Sequence, residues 1–190
     1  MRQASWILGL GMLTALGGAP AQAIDPFFPT YGNDGYDVTH YDLTLDVDPV
    51  RNRLHGHAVL SVTTLSRIGS LALDLAHLSV RQVKINGVVA PFSHDGAKLR
   101  IRLPGTVAKG VGLKVAVAYG GAPKTLDDPT APGAGFGLGW TGHAGTTYVV
   151  SEPVGASTWY PVNDEPTDKA TYRIAVTAPK PYTAVSNGIL

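Results

Sequence analysis

The chain contains no cysteine, which rules out a disulfide framework and any thiolate-held metal. Methionine occurs only at Met1 and Met12, so no motif that needs a methionine deeper in the chain can be present. Neither sign of charge dominates: 15 Lys+Arg stand against 14 Asp+Glu, a net charge of +1. That balance offers no electrostatic reason to expect nucleic acid or an acidic membrane surface as partner. After the first residues no run is long and apolar enough to span a bilayer. No convincing amphipathic helix of ten residues or more is found either. A G-x-S-x-G nucleophile elbow is absent. So is H-E-x-x-H, the i, i+4 histidine pair that zinc binding on one helix face requires.

What is present suits a chain of short strands and many turns. Hydrophobic residues make up 44%, enough for a core, and Gly 23 and Pro 14 are high counts for a helical protein. The first residues have the layout of a secretory signal peptide. Arg2 supplies the positive start, residues 4–16 the short apolar stretch, and Ala21-Gln22-Ala23 the small-x-small cleavage signal. As an uncleaved anchor the stretch would be short and interrupted by Gly9, Gly11 and Thr14. Residues 1–23 are therefore read as a signal peptide and residues 24–190 as one β domain. The mature protein is expected to be exported, to periplasm or medium, and free of the membrane.

Alternation of apolar and polar residues marks the strands. Tyr41, Leu43, Leu45 and Val47 share one face; Asp42, Thr44 and Asp46 share the other. Leu54, Ala58, Leu60 and Val62 line a second strand after the Asp48-Pro49 turn. Further strands are predicted at Leu71–Leu75, Val80–Ile85, Leu99–Leu103, Leu113–Tyr119, Tyr148–Val150, Thr171–Thr177 and Thr183–Ser186. Asn86-Gly87 and Asp95-Gly96 read as hairpin turns, because the favoured two-residue turns need positive φ. Turn signals every 8–12 residues predict an all-β sandwich or similar saddle-like pair of sheets. Residues 120–145, with eight glycines and three prolines, read as a long loop or flap. Asn187-Gly188 reads as a hairpin turn whose return strand is cut short at Ile189-Leu190, so the chain is expected to be C-terminally incomplete.

Three features compete for a functional role. His55 and His57 lie two apart on a strand and so share a face, where they could hold a metal. Cross-strand pairing with Asp42, Thr44 and Asp46 explains them without one. The Gly133–Gly139 run is not followed by Gly-Lys-Ser/Thr and opens no predicted helix, so it reads as a flexible loop rather than a phosphate cradle. The segment 151–172 differs in packing aromatics, carboxylates and turn residues between two strands. It reads either as a self-stabilised corner, with Trp159 and Tyr160 anchored in the core and Lys169 paired to Asp164 or Asp168, or as a binding loop on a rigid β scaffold.

The run Trp159-Tyr160-Pro161-Val162-Asn163-Asp164-Glu165-Pro166-Thr167-Asp168-Lys169-Ala170-Thr171-Tyr172, with Val185-Ser186-Asn187-Gly188-Ile189-Leu190 after it, resembles the N-terminal domain of the aminopeptidase N family of zinc metallopeptidases. Asp25-Pro26-Phe27-Phe28-Pro29 and Tyr36-Asp37-Val38-Thr39-His40-Tyr41-Asp42-Leu43 resemble its exported bacterial members. The resemblance implies an all-β saddle-like domain packed on a thermolysin-like catalytic domain that holds the zinc. This chain contributes no catalytic or metal residue to that picture, and is not expected to be catalytic alone. It implies that Glu152 is a substrate-binding residue, which helps hold the free α-amino group of a peptide through a charge-assisted hydrogen bond. Val150, Ser157 and Val162 depart from the commoner family pattern of Gln, Arg and Cys, whereas Gly155-Ala156 matches a subgroup. The rival reading is a non-catalytic exported β module that uses the same loop to bind a protein or peptide.

Overall fold

A computed structural model of the protein describes residues 28–133, 135, 137–143 and 145–189. The signal peptide expected at residues 1–23 lies outside them. In chain order the strands are β1 (Tyr36–Asp48), β2 (Arg53–Thr64), β3 (Ile68–Asp74), β4 (Ser79–Ile85), β5 (Val88–Val89), β6 (Phe92–Asp95), β7 (Lys98–Val107), β8 (Gly112–Gly121), β9 (Leu126–Asp127), β10 (Gly137–His143), β11 (Thr146–Val150) and β12 (Thr171–Thr177). Among the described residues the helical structure is a single 3-10 turn at Ala156–Thr158. No described helix is long and apolar enough to cross a membrane.

The strands form one mixed sheet in the order β12-β1-β2-β8-β4-β5, a second in the order β3-β7-β6 and a third in the order β11-β10-β9. β1 runs antiparallel to β2 and parallel to β12. The expected all-β fold of antiparallel and mixed sheets is what forms. Its core is the set the alternation picks out: Tyr41, Leu43 and Leu45 of β1 and Leu54, Ala58 and Leu60 of β2 join Leu71 and Leu73 of β3 and Leu99 and Ile101 of β7. Each leucine buried in this way contributes about 1.5–3 kcal/mol. A one-residue slip would turn a whole row into water, so the pattern fixes the register as well as the strand. Asn86 and Gly87, at φ 50 and 84, make the two-residue turn between β4 and β5. Gly96, at φ 58, lies in the turn between β6 and β7.

Two expectations fail. Residues 120–145 are not one long loop, because β9 and β10 lie within them. Leu138 and Trp140 are buried there, and the Trp140 indole Nε1 donates to Asn52 Oδ1 at 2.9 Å, which fixes a glycine-rich stretch as a strand. Thr183–Ser186 is not a strand. Val185 and Ile189 stand fully exposed, and no described segment offers this stretch the backbone partners a strand needs. β6 carries no apolar alternation and was not legible in the pattern.

Candidate functional site

The segment that follows β11 is fastened to almost every layer of the domain. Glu152 comes first and is exposed. Val154 is buried at 1% exposure, and the 3-10 turn follows at Ala156–Thr158. Ser157 O accepts from Ala76 N at 2.8 Å. Trp159 O accepts from the Tyr119 hydroxyl on β8 at 3.0 Å. Tyr160 is buried and packs edge-on to Tyr41, with ring centroids 5.5 Å apart, while Tyr172 of β12 stacks on Tyr41 at 4.9 Å. The predicted aromatic anchors are thus in place.

Beyond them Val162 forms an isolated antiparallel bridge with Asp74 at the end of β3. Asn163 N donates to the Tyr41 hydroxyl at 3.0 Å, and its side-chain amide donates to Asp168 Oδ2 at 2.5 Å. Asp168 in turn accepts from Val38 N at 3.1 Å, which ties the segment to β1. Thr167 donates from both N and Oγ1 to Glu165 Oε1, closing the Asp164-Glu165-Pro166 turn. The bonds to Tyr41 and Val38 of β1 and the bridge to Asp74 of β3 reach other elements, so the segment is not a self-contained corner.

The centre of this attachment is Asp74, only 3% exposed. Its Oδ1 meets Lys98 Nζ at 2.5 Å, and its Oδ2 accepts from Gly32 N, Asn33 Nδ2 and Asp164 N at 3.1, 3.1 and 3.2 Å. The pairing predicted for Lys169 with Asp164 or Asp168 does not form among the described residues; Lys98 and Asp74 supply the ion pair instead. An aspartate among the leucines of Leu71-Ala72-Leu73-Asp74-Leu75 is the one sequence signal that could have found it.

Two carboxyls of the segment are displaced from the ordinary aspartate value. Burial, and then the Asp74 charge, push Asp164 up to about 6 against the bonds it accepts from Ser157 and Gly155. Burial pushes Asp168 up to about 6, with the neighbouring Asp37 carboxylate adding to it, although the Asn163 and Val38 bonds pull the other way. Both folded values exceed the unfolded value of 3.8, so protonation favours the folded chain. The stabilisation is complete below 3.8 and is lost as pH rises through about 6. Urea midpoints of the chain should therefore rise as pH is lowered from 7.5 to 5, with Asp164 contributing about 1.4 kcal/mol, roughly one pKa unit of linkage over that window. Asp168→Asn should flatten that rise; an unchanged midpoint over the window would contradict the assignment. Asp48 and Asp128, held below the ordinary value by hydrogen bonds from Arg51 and Thr130, act in the opposite direction and only below 3.8.

Glu152 takes no hydrogen bond and no ion pair from the described residues, so the pairing with a lysine or arginine that would make it an ordinary surface carboxylate is not formed. It is available to a ligand, and acceptor-only when ionised. Among the described residues no group of three or more His, Cys, Asp or Glu is placed to hold a metal. His55 and His57 do not fit zinc: they face Asp46 and Thr44 across the β1–β2 pair, and Arg81 Nη1 sits 3.1 Å from His55 Nδ1. An arginine beside the ligating nitrogen opposes a cation, and cross-strand pairing accounts for the cluster.

The chain is thus an all-β domain that presents an exposed carboxylate on a segment bonded to β1, β3 and β8. The comparison with known families is specific: the Peptidase M1 N-terminal domain matches residues 37–190, and the chain belongs to that family. An M1 zinc metallopeptidase from Deinococcus radiodurans is 33% identical, with a TM-score of 0.74, over 80% of this chain and 34% of that one. Leucine aminopeptidase 2 of Aspergillus oryzae is 29% identical over 161 residues, 77% of this chain and 25% of the relative. Yeast LTA4 hydrolase shares the fold at 22% identity and a TM-score of 0.60. The chain thus spans about a third of the length of the first and a quarter of the second.

Proposed function

We propose that this chain is the substrate-recognition and structural front domain of an exported zinc aminopeptidase, which releases N-terminal residues from peptides. The observation that carries the proposal is the Glu152 carboxylate, exposed and unpaired among the described residues, on a segment bonded to β1, β3 and β8. An aminopeptidase must recognise a positive amine at a fixed distance from the scissile bond. A carboxylate on a rigid loop does this through a charge-assisted hydrogen bond.

The zinc belongs, on this reading, to a catalytic domain that follows in the polypeptide and packs on this one. The chemistry it supplies is a metal-activated water; the residues described here bind and orient the substrate's amino end. β12 supports the packing. Tyr172, Ile174 and Val176 pair in register with Tyr41, Leu43 and Leu45 and so face the core side of the sheet, yet they are 47%, 36% and 40% exposed. An apolar row continuous with the core and left uncovered at a sheet edge fits a surface that another part of the polypeptide covers.

The test is an assay of N-terminal residue release by purified 24–190 and by the polypeptide extended through whatever follows Leu190. The extended protein should turn over peptides in a chelator-sensitive way and 24–190 should not. Turnover by 24–190 alone, or a reading frame that closes at Leu190, would sink the proposal.

A further inference from the structure

Four residues, 151–154, separate the end of β11 from Gly155, and both ends of this short loop close on the same residue. On one side Val150 is the register partner of Gly139 in β10. On the other, Gly155 lies against Gly139 so closely that a Cβ on Gly155 would fall 2.7 Å from Gly139 N. Gly139 itself sits at φ +90, and a Cβ there would fall 2.2 Å from Thr158 Oγ1 and 2.6 Å from Gly155 O. Neither glycine can carry a side chain without breaking the contact. Thr158 locks the arrangement. It is fully buried, its hydroxyl donates to Gly155 O at 2.7 Å, and the hydroxyl oxygen Thr158 Oγ1 accepts from Trp140 N at 2.9 Å. One hydroxyl therefore bridges β10 to the far end of the loop that carries Glu152.

We infer that Thr158, acting through the Gly139–Gly155 contact, is the positioning residue that holds Glu152 in place for a substrate amine. The inference deepens the proposed function and rests on that reading of Glu152. A loop of four residues with both ends fixed on one strand has few conformations left, so little ordering is needed when a ligand arrives. A gap in this bridge frees one end of the loop without touching the core residues of β1, β2, β3, β7 and β8.

Backbone relaxation on the purified chain tests the mechanical half without any substitution. The Glu152 amide should show an order parameter of about 0.85, as rigid backbone does, and a value below about 0.6 would overturn the inference. Thr158→Val, which keeps the shape and removes the hydroxyl, should lower that value while amides of β1, β2 and β8 keep theirs; Thr158→Ser should restore it. In the extended enzyme Thr158→Val should raise KM for free-amine peptides about tenfold at little cost in kcat, within the ~100-fold that a 1 Å misplacement can cause. Thr158→Ser should recover most of this. If Glu152→Ala raises KM and Thr158→Val does not, the positioning role is wrong and the proposed function stands. If Glu152→Ala leaves KM unchanged, the amine-binding reading fails, while the relaxation data still decide whether the loop is held.

Discussion

Asp74→Asn is expected to destabilise the domain by about 3 kcal/mol or more, at the lower end of the cost of breaking a buried ion pair. The substitution keeps the shape but leaves the Lys98 ammonium without its counter-charge, in a position where that side chain is only 25% exposed. The carboxylate also gathers Gly32 N, Asn33 Nδ2 and Asp164 N onto one oxygen. Three pieces of chain distant in sequence, residues 32–33, the β3 end and the site segment, thus depend on one side chain. Urea unfolding measures the loss directly. Lys98→Met in the Asp74→Asn background should recover part of it, because most of the penalty is an uncompensated charge rather than a lost attraction. A single-variant loss under 1 kcal/mol would show that the pair is solvated and that the attachment lies elsewhere.

The second large effect is Tyr160→Ala, with an expected loss of about 3–5 kcal/mol, the range of large aromatic truncations in cores. Tyr160 is buried between Tyr41 and Trp159, with ring centroids 5.5 and 4.4 Å away. Removing the ring empties the space between β1 and the site segment and unseats the backbone that leads from Trp159 to Asn163. Tyr160→Phe deletes only the hydroxyl, which faces the Tyr172 hydroxyl at 3.2 Å, and should cost about 1 kcal/mol. Thermal or urea unfolding of the two variants separates packing from hydrogen bonding; equal losses would place the energy in the hydroxyl contact instead.

Strand positions were legible because burial on one face writes itself into the sequence with period two. Tyr41 to Val47 and Leu54 to Val62 show it, and Thr171–Thr177 is a strand with the bounds the pattern predicts. β10 was not legible. Its glycines carry the signature of a loop, and the reason one of them, Gly139, must be glycine, the close approach of Gly155 and Thr158, comes from residues outside the strand. The same holds for Asp74 and Lys98, whose pairing spans two strands and has no local signal beyond an aspartate among leucines. Thr183–Ser186 shows the converse: a strand-like composition without a partner stays irregular.

The site divides along the same line. Trp159 and Tyr160 could be assigned to the core from their size alone. Glu152 was singled out by family resemblance and not by spacing, since a lone carboxylate after a strand has no pattern. The structure adds that this carboxylate is exposed, unpaired among the described residues, and carried on a loop with both ends on Gly139.

Steady-state kinetics of the extended enzyme and its Glu152→Ala variant test the role of Glu152 most directly. The substrates are a peptide with a free α-amine and the same peptide acetylated at its N-terminus. Wild type should cleave the free-amine peptide and discriminate against the acetylated one. In Glu152→Ala, KM for the free-amine peptide should rise about 10–100-fold, the worth of one hydrogen bond to a charged group, and discrimination should shrink by the same factor. Unchanged KM and unchanged discrimination would contradict the claim that this domain reads the substrate's amino terminus.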